Sequence, residues 1–222
     1  MPMRIVRVDK FTEEQSTLEW LVDGLLPNVG WTLLYGTAGY GKTTFAMQLA
    51  ASLQSGARFL GRPVKQTNVV YVQAVSVEEE WREILRRVAP KSKALTVVEV
   101  PERVFDDPRR VKGISKWIEK YQPGFVVFDS FYNLSGVDMN NAKALLPLNM
   151  IKAMLGKTPW LMVHHPRKEG DTYSGHNSIA GNCSNQWRLL KDKLVVEKGR
   201  LVNPNGKYGK DMFLAWWAIM VA

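Results

Sequence analysis

The stretch Trp31-Thr32-Leu33-Leu34-Tyr35-Gly36-Thr37-Ala38-Gly39-Tyr40-Gly41-Lys42-Thr43-Thr44 constrains the fold more than any other part of the sequence. An apolar run of strand length enters a loop with Gly36, Gly41, Lys42 and Thr43 at the spacing G-x-x-x-x-G-K-T. A helical pattern, Thr43 to Leu53, follows. Glycines at those positions let backbone N–H groups curl around phosphates with no Cβ in the way. The helix start adds the positive end of its dipole. Gly36 to Thr44 is therefore the expected nucleotide-binding run. Lys42 would reach the β- and γ-phosphates, and the Thr43 hydroxyl would ligate Mg²⁺. Residue frequencies give a chance match in on the order of 1 in 100 chains of this length.

The rest of the chain repeats the alternation of apolar runs and helical patterns that marks a mostly parallel sheet with crossover helices. Strands are expected at Asn68–Val72, Leu95–Val100, Phe125–Phe128 and Trp160–Val163. Helices are expected at Glu78–Val88, at Val111–Tyr121 with Ile114, Trp117 and Ile118 on one face, and at Ala142–Leu155, bent or interrupted near Pro147. Pro166 to Gly181 reads as a long polar connection. Leu194–Glu197 and Phe213–Val221 read as a closing hairpin around Asn203-Pro204-Asn205-Gly206. Asp129, at the end of the apolar run Phe125–Phe128, can hold Mg²⁺ through water; the same residue type also suits a turn or a helix cap.

Composition bounds the rest. The chain has 222 residues, enough for one α/β domain, and a formal net charge of +9, which favours polyanions, with nucleic acid foremost. A soluble protein that is merely basic has the same composition. With Cys183 as the lone cysteine no internal disulfide can form, which fits a reducing, cytoplasmic compartment. Met1 to Lys10 has no apolar run of the signal-peptide kind. The longest apolar stretch, Met212 to Ala222, is about half a bilayer span, so a final core strand is expected and no membrane partner. Tyr173, His176 and Cys183 do not form a metal-ligand spacing.

In this order, the phosphate loop, Phe125-Val126-Val127-Phe128-Asp129-Ser130, Trp160-Leu161-Met162-Val163-His164-His165-Pro166-Arg167-Lys168 and Val196-Glu197-Lys198-Gly199-Arg200 resemble the RecA/DnaB superfamily. Within it they resemble the RepA-type hexameric helicase group, over about Leu21 to Trp217. The resemblance implies a RecA-like P-loop NTPase: an α/β core over residues 21–222, a mostly parallel central sheet flanked by helices, and a C-terminal β-hairpin. Residues 1–20 become an N-terminal segment suited to a subunit contact. ATP and Mg²⁺ are the implied cofactors. Single-stranded DNA and further copies of the chain, as a ring (a hexamer in that group) or a filament, are the implied partners.

Carried over by position, the resemblance places His164 as a γ-phosphate sensor, with His165 as the substitute. The segment Arg167 to Asn185 becomes a channel loop, in which Arg167, Lys168, Ser178 and Asn182 would meet DNA; an ordinary solvated loop has the same composition. Lys198 and Arg200, two apart on a strand and so facing one way, resemble a pair that completes a neighbouring subunit's site, with Arg200 as arginine finger; a basic strand edge reads alike. One departure stands out. Members of this group keep a water-polarising glutamate after the strand equivalent to Val69–Val72, and here Val75 occupies that place. Glu78 or Glu79 from the next helix is the expected replacement, unless hydrolysis is slow; the run Glu78–Glu80 reads equally as a solvated first turn of that helix, where acids favour the dipole. Three readings follow: a helicase-like motor, a RadA-like recombinase core, and a nucleotide-dependent switch or scaffold similar to the KaiC group.

Overall fold

The computed structural model describes residues 7–8, 18–74, 78–88, 95–137, 142–165, 177–200 and 211–213. A small antiparallel pair, β1 (Trp20–Val22) and β2 (Leu26–Pro27), precedes the main sheet. The strands of that sheet are β3 (Trp31–Tyr35), β4 (Val69–Ala74), β5 (Thr96–Val100), β6 (Phe125–Asp129), β7 (Trp160–His164), β8 (Asn185–Leu189), β9 (Lys193–Gly199) and β10 (Asp211–Phe213). Their spatial order is β10-β9-β8-β3-β7-β6-β4-β5, with β8 to β5 all parallel and β9 and β10 antiparallel. The chain thus fills one side of β3 outward, returns through β6 and β7, and crosses to β8 on the other side. The carboxyl end of β3 lies where the order reverses, the usual ligand position in such sheets.

Helices cover both faces. On one face α1 (Lys42–Ser55) packs with α2 (Glu78–Val88) over Leu34, Tyr71, Phe125, Val127, Leu161 and Val163. On the other, α3 (Pro108–Tyr121), the short α4 (Phe131–Ser135), α5 (Leu145–Leu155) and α6 (Asn177–Asn182) follow, and Ile114, Leu134, Ile151 and Ile179 pack with Leu33, Val126, Phe128 and Met162. Strands with both faces buried are apolar throughout, which explains the continuous runs in β4, β6 and β7. Helix α1 is buried along Phe45, Ala46, Met47, Leu49, Ala50 and Leu53, and it ends at Gly56, a left-handed cap.

Several expectations change. Trp117 is not a core residue: it is 45 % exposed and stacks on Tyr121, with ring centroids 5.2 Å apart. The buried stripe of α3 is narrow, Ile114 and Ile118 only, and about 300° of turn from Ile114 takes Trp117 to its edge. Of the two forms expected for Ala142–Leu155, the interrupted one is seen: a 3₁₀ turn, Ala142–Ala144, leads into α5. Pro147 then falls in the first turn, where its missing N–H costs nothing. Part of the expected loop Arg167 to Asn185 is helical, as α6, and β8 follows it at Asn185. A C-terminal antiparallel pair is present as β8 with β9. Of the expected hairpin partner Phe213–Val221 only Phe213 is described, in β10, which pairs Asp211–Phe213 with Lys193–Val195; the rest of that strand, with its turn at 203–206, lies outside the described residues. Leu21, Val22, Leu25 and Leu26 are buried beside α1, so the core reaches back to the β1–β2 pair. No helix among the described residues is long and apolar enough to cross a membrane.

Candidate functional site

The glycine-rich loop joins β3 to α1, with Gly36 buried and Thr37, Ala38 and Gly39 exposed at its tip. Gly36 must be glycine for a reason outside the loop: a Cβ there would lie 2.3 Å from the Leu189 carbonyl oxygen of β8. Gly41, at φ +79, is the N-cap of α1 and offers no side chain to the first-turn amides. A serine or aspartate cap would satisfy those donors internally. Glycine leaves them aimed at an anion.

Lys42 is 2 % exposed, and its Nζ donates to the carbonyls of Gly36 at 2.6 Å and Thr37 at 2.9 Å. Its ammonium therefore sits inside the curl of its own loop. Burial pushes its pKa down to about 8, while the carboxylate of Asp129 acts the other way. Asp129 ends β6, 7 % exposed, and accepts hydrogen bonds from the Thr43 and Tyr71 hydroxyls. Burial raises its pKa above the ordinary carboxylate range, and those two hydroxyls and Lys42 hold it back. The residues that sequence reasoning assigned to phosphate and metal thus meet at one point, from strand ends far apart in the chain.

Beside them opens a cleft of about 220 Å³ lined by Thr43, Gln73, Ala74, Trp81, Ile84, Asp129, Ser130, Asn133 and His165. The Thr43 hydroxyl and the Asp129 carboxylate are hard oxygen donors in mutual contact at its edge, and the buried Ser130 Oγ has no hydrogen-bond partner among the described residues. This donor set fits Mg²⁺, which takes few protein ligands and keeps several waters. When bound there it would neutralise phosphate charge. Among the described residues, no cluster of three or more His, Cys, Asp or Glu forms an alternative metal site.

The parity of β7 decides which histidine meets this cleft. Leu161 and Val163 point to the α1 face, and Trp160 and Met162 to the other. His165 continues the first set and lines the cleft, whereas His164, 4 % exposed and in register with Tyr35, belongs to the second. Of the two histidines expected as sensor candidates, the substitute His165 is the one that lines the cleft. His165 is exposed overall, but desolvation on its cleft side, then the charge of Lys42, then His164, lower its pKa to about 4, which favours the neutral imidazole.

Glu78 does not enter the cleft. It is exposed and pairs with Arg82 one turn along α2, a solvent-side pair of the ordinary i,i+4 kind. Helix α2 gives the cleft apolar Trp81 and Ile84 instead. Val75 lies outside the described residues, as do Arg167 and Lys168. Ser178 stands in α6. Asn182, at the end of that helix, accepts from Trp31 Nε1 through its carbonyl at 3.0 Å and from Lys152 Nζ through its amide oxygen at 3.5 Å.

Lys198 Nζ and Arg200 Nη2 both donate to the Gly181 carbonyl, at 3.1 and 3.0 Å, so the pair does face one way. Strand β9 runs against β8, with Lys198 opposite Gln186. The pair therefore lies at the amino-terminal edge of the parallel strands, across the sheet from Lys42. Lys152 joins it there, and all three cations act on buried Cys183.

Sequence reasoning missed Gln73. It is the penultimate residue of β4, 1 % exposed, and reaches the cleft opposite Asp129. A polar side chain inside the apolar run Val69–Ala74 is the signal that could have found it.

Compared with known proteins, residues 1–171 match a family model described as an AAA domain. That match ends before β8 and β9. A search of curated proteins returns no match.

Proposed function

The chain belongs to the AAA domain family of nucleotide-binding ATPases, and on that premise we propose that it is an ATP-driven motor of the RecA/DnaB type acting on single-stranded DNA. The observation behind the ATPase core is the convergence of Lys42, Thr43 and Asp129 at the carboxyl end of the sheet. The loop amides and Lys42 bind the phosphates. Thr43 and Asp129 orient the metal ion, and His165 offers a neutral hydrogen-bonding group beside them.

The DNA reading is supported by the +9 charge. The position of Lys198 and Arg200, away from their own phosphate loop, favours a site completed by a neighbouring copy in a ring or filament. Arg167 and Lys168 would add phosphate contacts.

Steady-state ATP hydrolysis with and without single-stranded DNA tests the proposal, with Lys42→Ala as control. Strong stimulation by DNA, lost in the control, is expected. Open helical particles on DNA rather than closed rings would turn the reading towards a recombinase. The valine at position 75 favours the switch or scaffold reading, and weak turnover indifferent to DNA would put that reading first.

A further inference from the structure

Gln73 stands out among the buried polar groups. Both Nε2 and Oε1 are buried, and neither has a hydrogen-bond partner among the described residues. Buried amides are nearly always satisfied, so such a pair of atoms needs a partner from elsewhere. The geometry names the place. The Cα of Gln73 pairs with that of Asp129 across β4 and β6, so the two side chains leave the sheet on the same face. Two residues earlier on that face, Tyr71 donates to Asp129. Gln73 lines the same cleft as Thr43, Asp129 and His165.

We propose that Gln73 is the water-positioning residue of ATP hydrolysis, in the place of the carboxylate that Val75 cannot supply. The inference rests on the ATPase reading above. A primary amide has one acceptor oxygen and two N–H donors. Oε1 accepts from an O–H of the attacking water, and Nε2 donates to an oxygen of the γ-phosphoryl group. The water oxygen bonds to the γ-phosphorus, and the bond from that phosphorus to the β,γ-bridging oxygen breaks. Its electron pair stays with ADP, and the water's proton passes to a phosphate oxygen. An amide takes no proton, so Gln73 orients the water and is not a general base. Positioning of this kind is worth orders of magnitude when the reacting atoms are aligned.

The test uses the full chain and two substitutions. Gln73→Ala should lower kcat for MgATP by about 10²-fold or more. Its affinity for a fluorescent, slowly hydrolysed ATP analogue should stay within about threefold, and trapping of ADP with aluminium fluoride should be lost. Gln73→Glu should recover much of the rate and make it rise with pH relative to the parent, because a carboxylate can also take a proton. The titratable groups around that position are Asp129, Tyr71, His165 and Lys42, and the parent shares all of them. Unchanged kcat in Gln73→Ala, or a loss of affinity as large as the loss of rate, would overturn the proposal. If Gln73→Ala does not fold, the pH profile of Gln73→Glu decides alone: a profile identical to the parent's overturns it. A parent chain that binds no ATP refutes the ATPase reading itself, which the analogue titration detects separately.

Discussion

The Tyr71 hydroxyl donates to Asp129 Oδ2 at 2.8 Å across the β4–β6 pair. Burial, and then the neighbouring carboxylate, raise the pKa of Tyr71 far above its usual range, so it remains a phenol and a donor. It fixes the carboxylate rotamer behind the metal position. Tyr71→Phe removes a hydrogen bond to a charged group, worth about 1.5–3 kcal/mol. Groups that orient a metal ligand typically affect affinity about 10–100-fold. The Mg²⁺ concentration needed for nucleotide binding should rise by that factor, as read from a Mg²⁺ titration at fixed nucleotide. Superimposable titrations would show that Tyr71 only fills space.

Lys42 makes binding and stability respond to pH with opposite signs. Its pKa in the folded chain is about 8, below the value of an exposed lysine, because it is buried. Phosphates favour the charged form, so affinity should be level below pH 7 and fall above pH 8, approaching tenfold per unit. Stability runs the other way. Between about 8 and the ordinary lysine range the unfolded chain binds the extra proton, so the nucleotide-free fold gains stability as pH rises through that window. Nucleotide titrations from pH 6 to 9.5, with melting curves of the parent and Lys42→Ala, measure both. A flat affinity profile would mean that Lys42 stays charged throughout.

What the sequence made legible follows from which side chains physics forces to be unusual. The glycines at 36 and 41 could be placed because only glycine suits a close approach to β8 and a left-handed cap. Asp129 could be placed because a carboxylate seldom ends a fully apolar strand. His164 and His165 could not be told apart, because β7 is buried on both faces and its apolar run carries no parity. Strand β8 was illegible for a related reason. Asn185-Gln186-Trp187-Arg188-Leu189 looks like a loop until Tyr35, Gln186 and Arg188 are seen to donate to Glu197 of β9. Glu78 misled through its sequence position, since an acid near a helix start serves the dipole and an i,i+4 pair without any site nearby.

Asp129 should show a trade between stability and function. Its raised pKa means that it stabilises the fold only in the protonated form. That contribution is present below the ordinary carboxylate range and is lost as pH rises through the folded value. Its ionised form is therefore a net cost to the fold. Asp129→Asn keeps an acceptor for the Tyr71 hydroxyl and removes the buried charge. It should melt at or above the parent's temperature at pH 7, with about 2–4 °C for each kcal/mol relieved in a chain of this size. The added stabilisation from Mg²⁺ with nucleotide should disappear. A lower melting temperature without ligand would mean that Lys42 depends on the carboxylate more than the carboxylate costs.

Lys198 and Arg200 both hold the Gly181 carbonyl at the amino-terminal edge of the sheet. Their own phosphate loop leaves the opposite edge, about 16 Å away for five residues at roughly 3.3 Å each. Neither cation can therefore reach phosphates bound by its own chain, and any part they play in hydrolysis is played in a neighbour's site. An arginine so placed is worth about 10³–10⁵ in rate. Arg200→Ala should bind ATP normally and hydrolyse it poorly, and Lys42→Ala should do neither. Mixed in equal amounts, the two inactive chains should regain turnover. About a quarter of random head-to-tail junctions join an intact loop to an intact Arg200. Recovery in the mixture is an outcome that no cis arrangement produces. If the mixture stays as inactive as its components while still assembling, Arg200 is not the finger, and the pair serves only to tie β9 to α6.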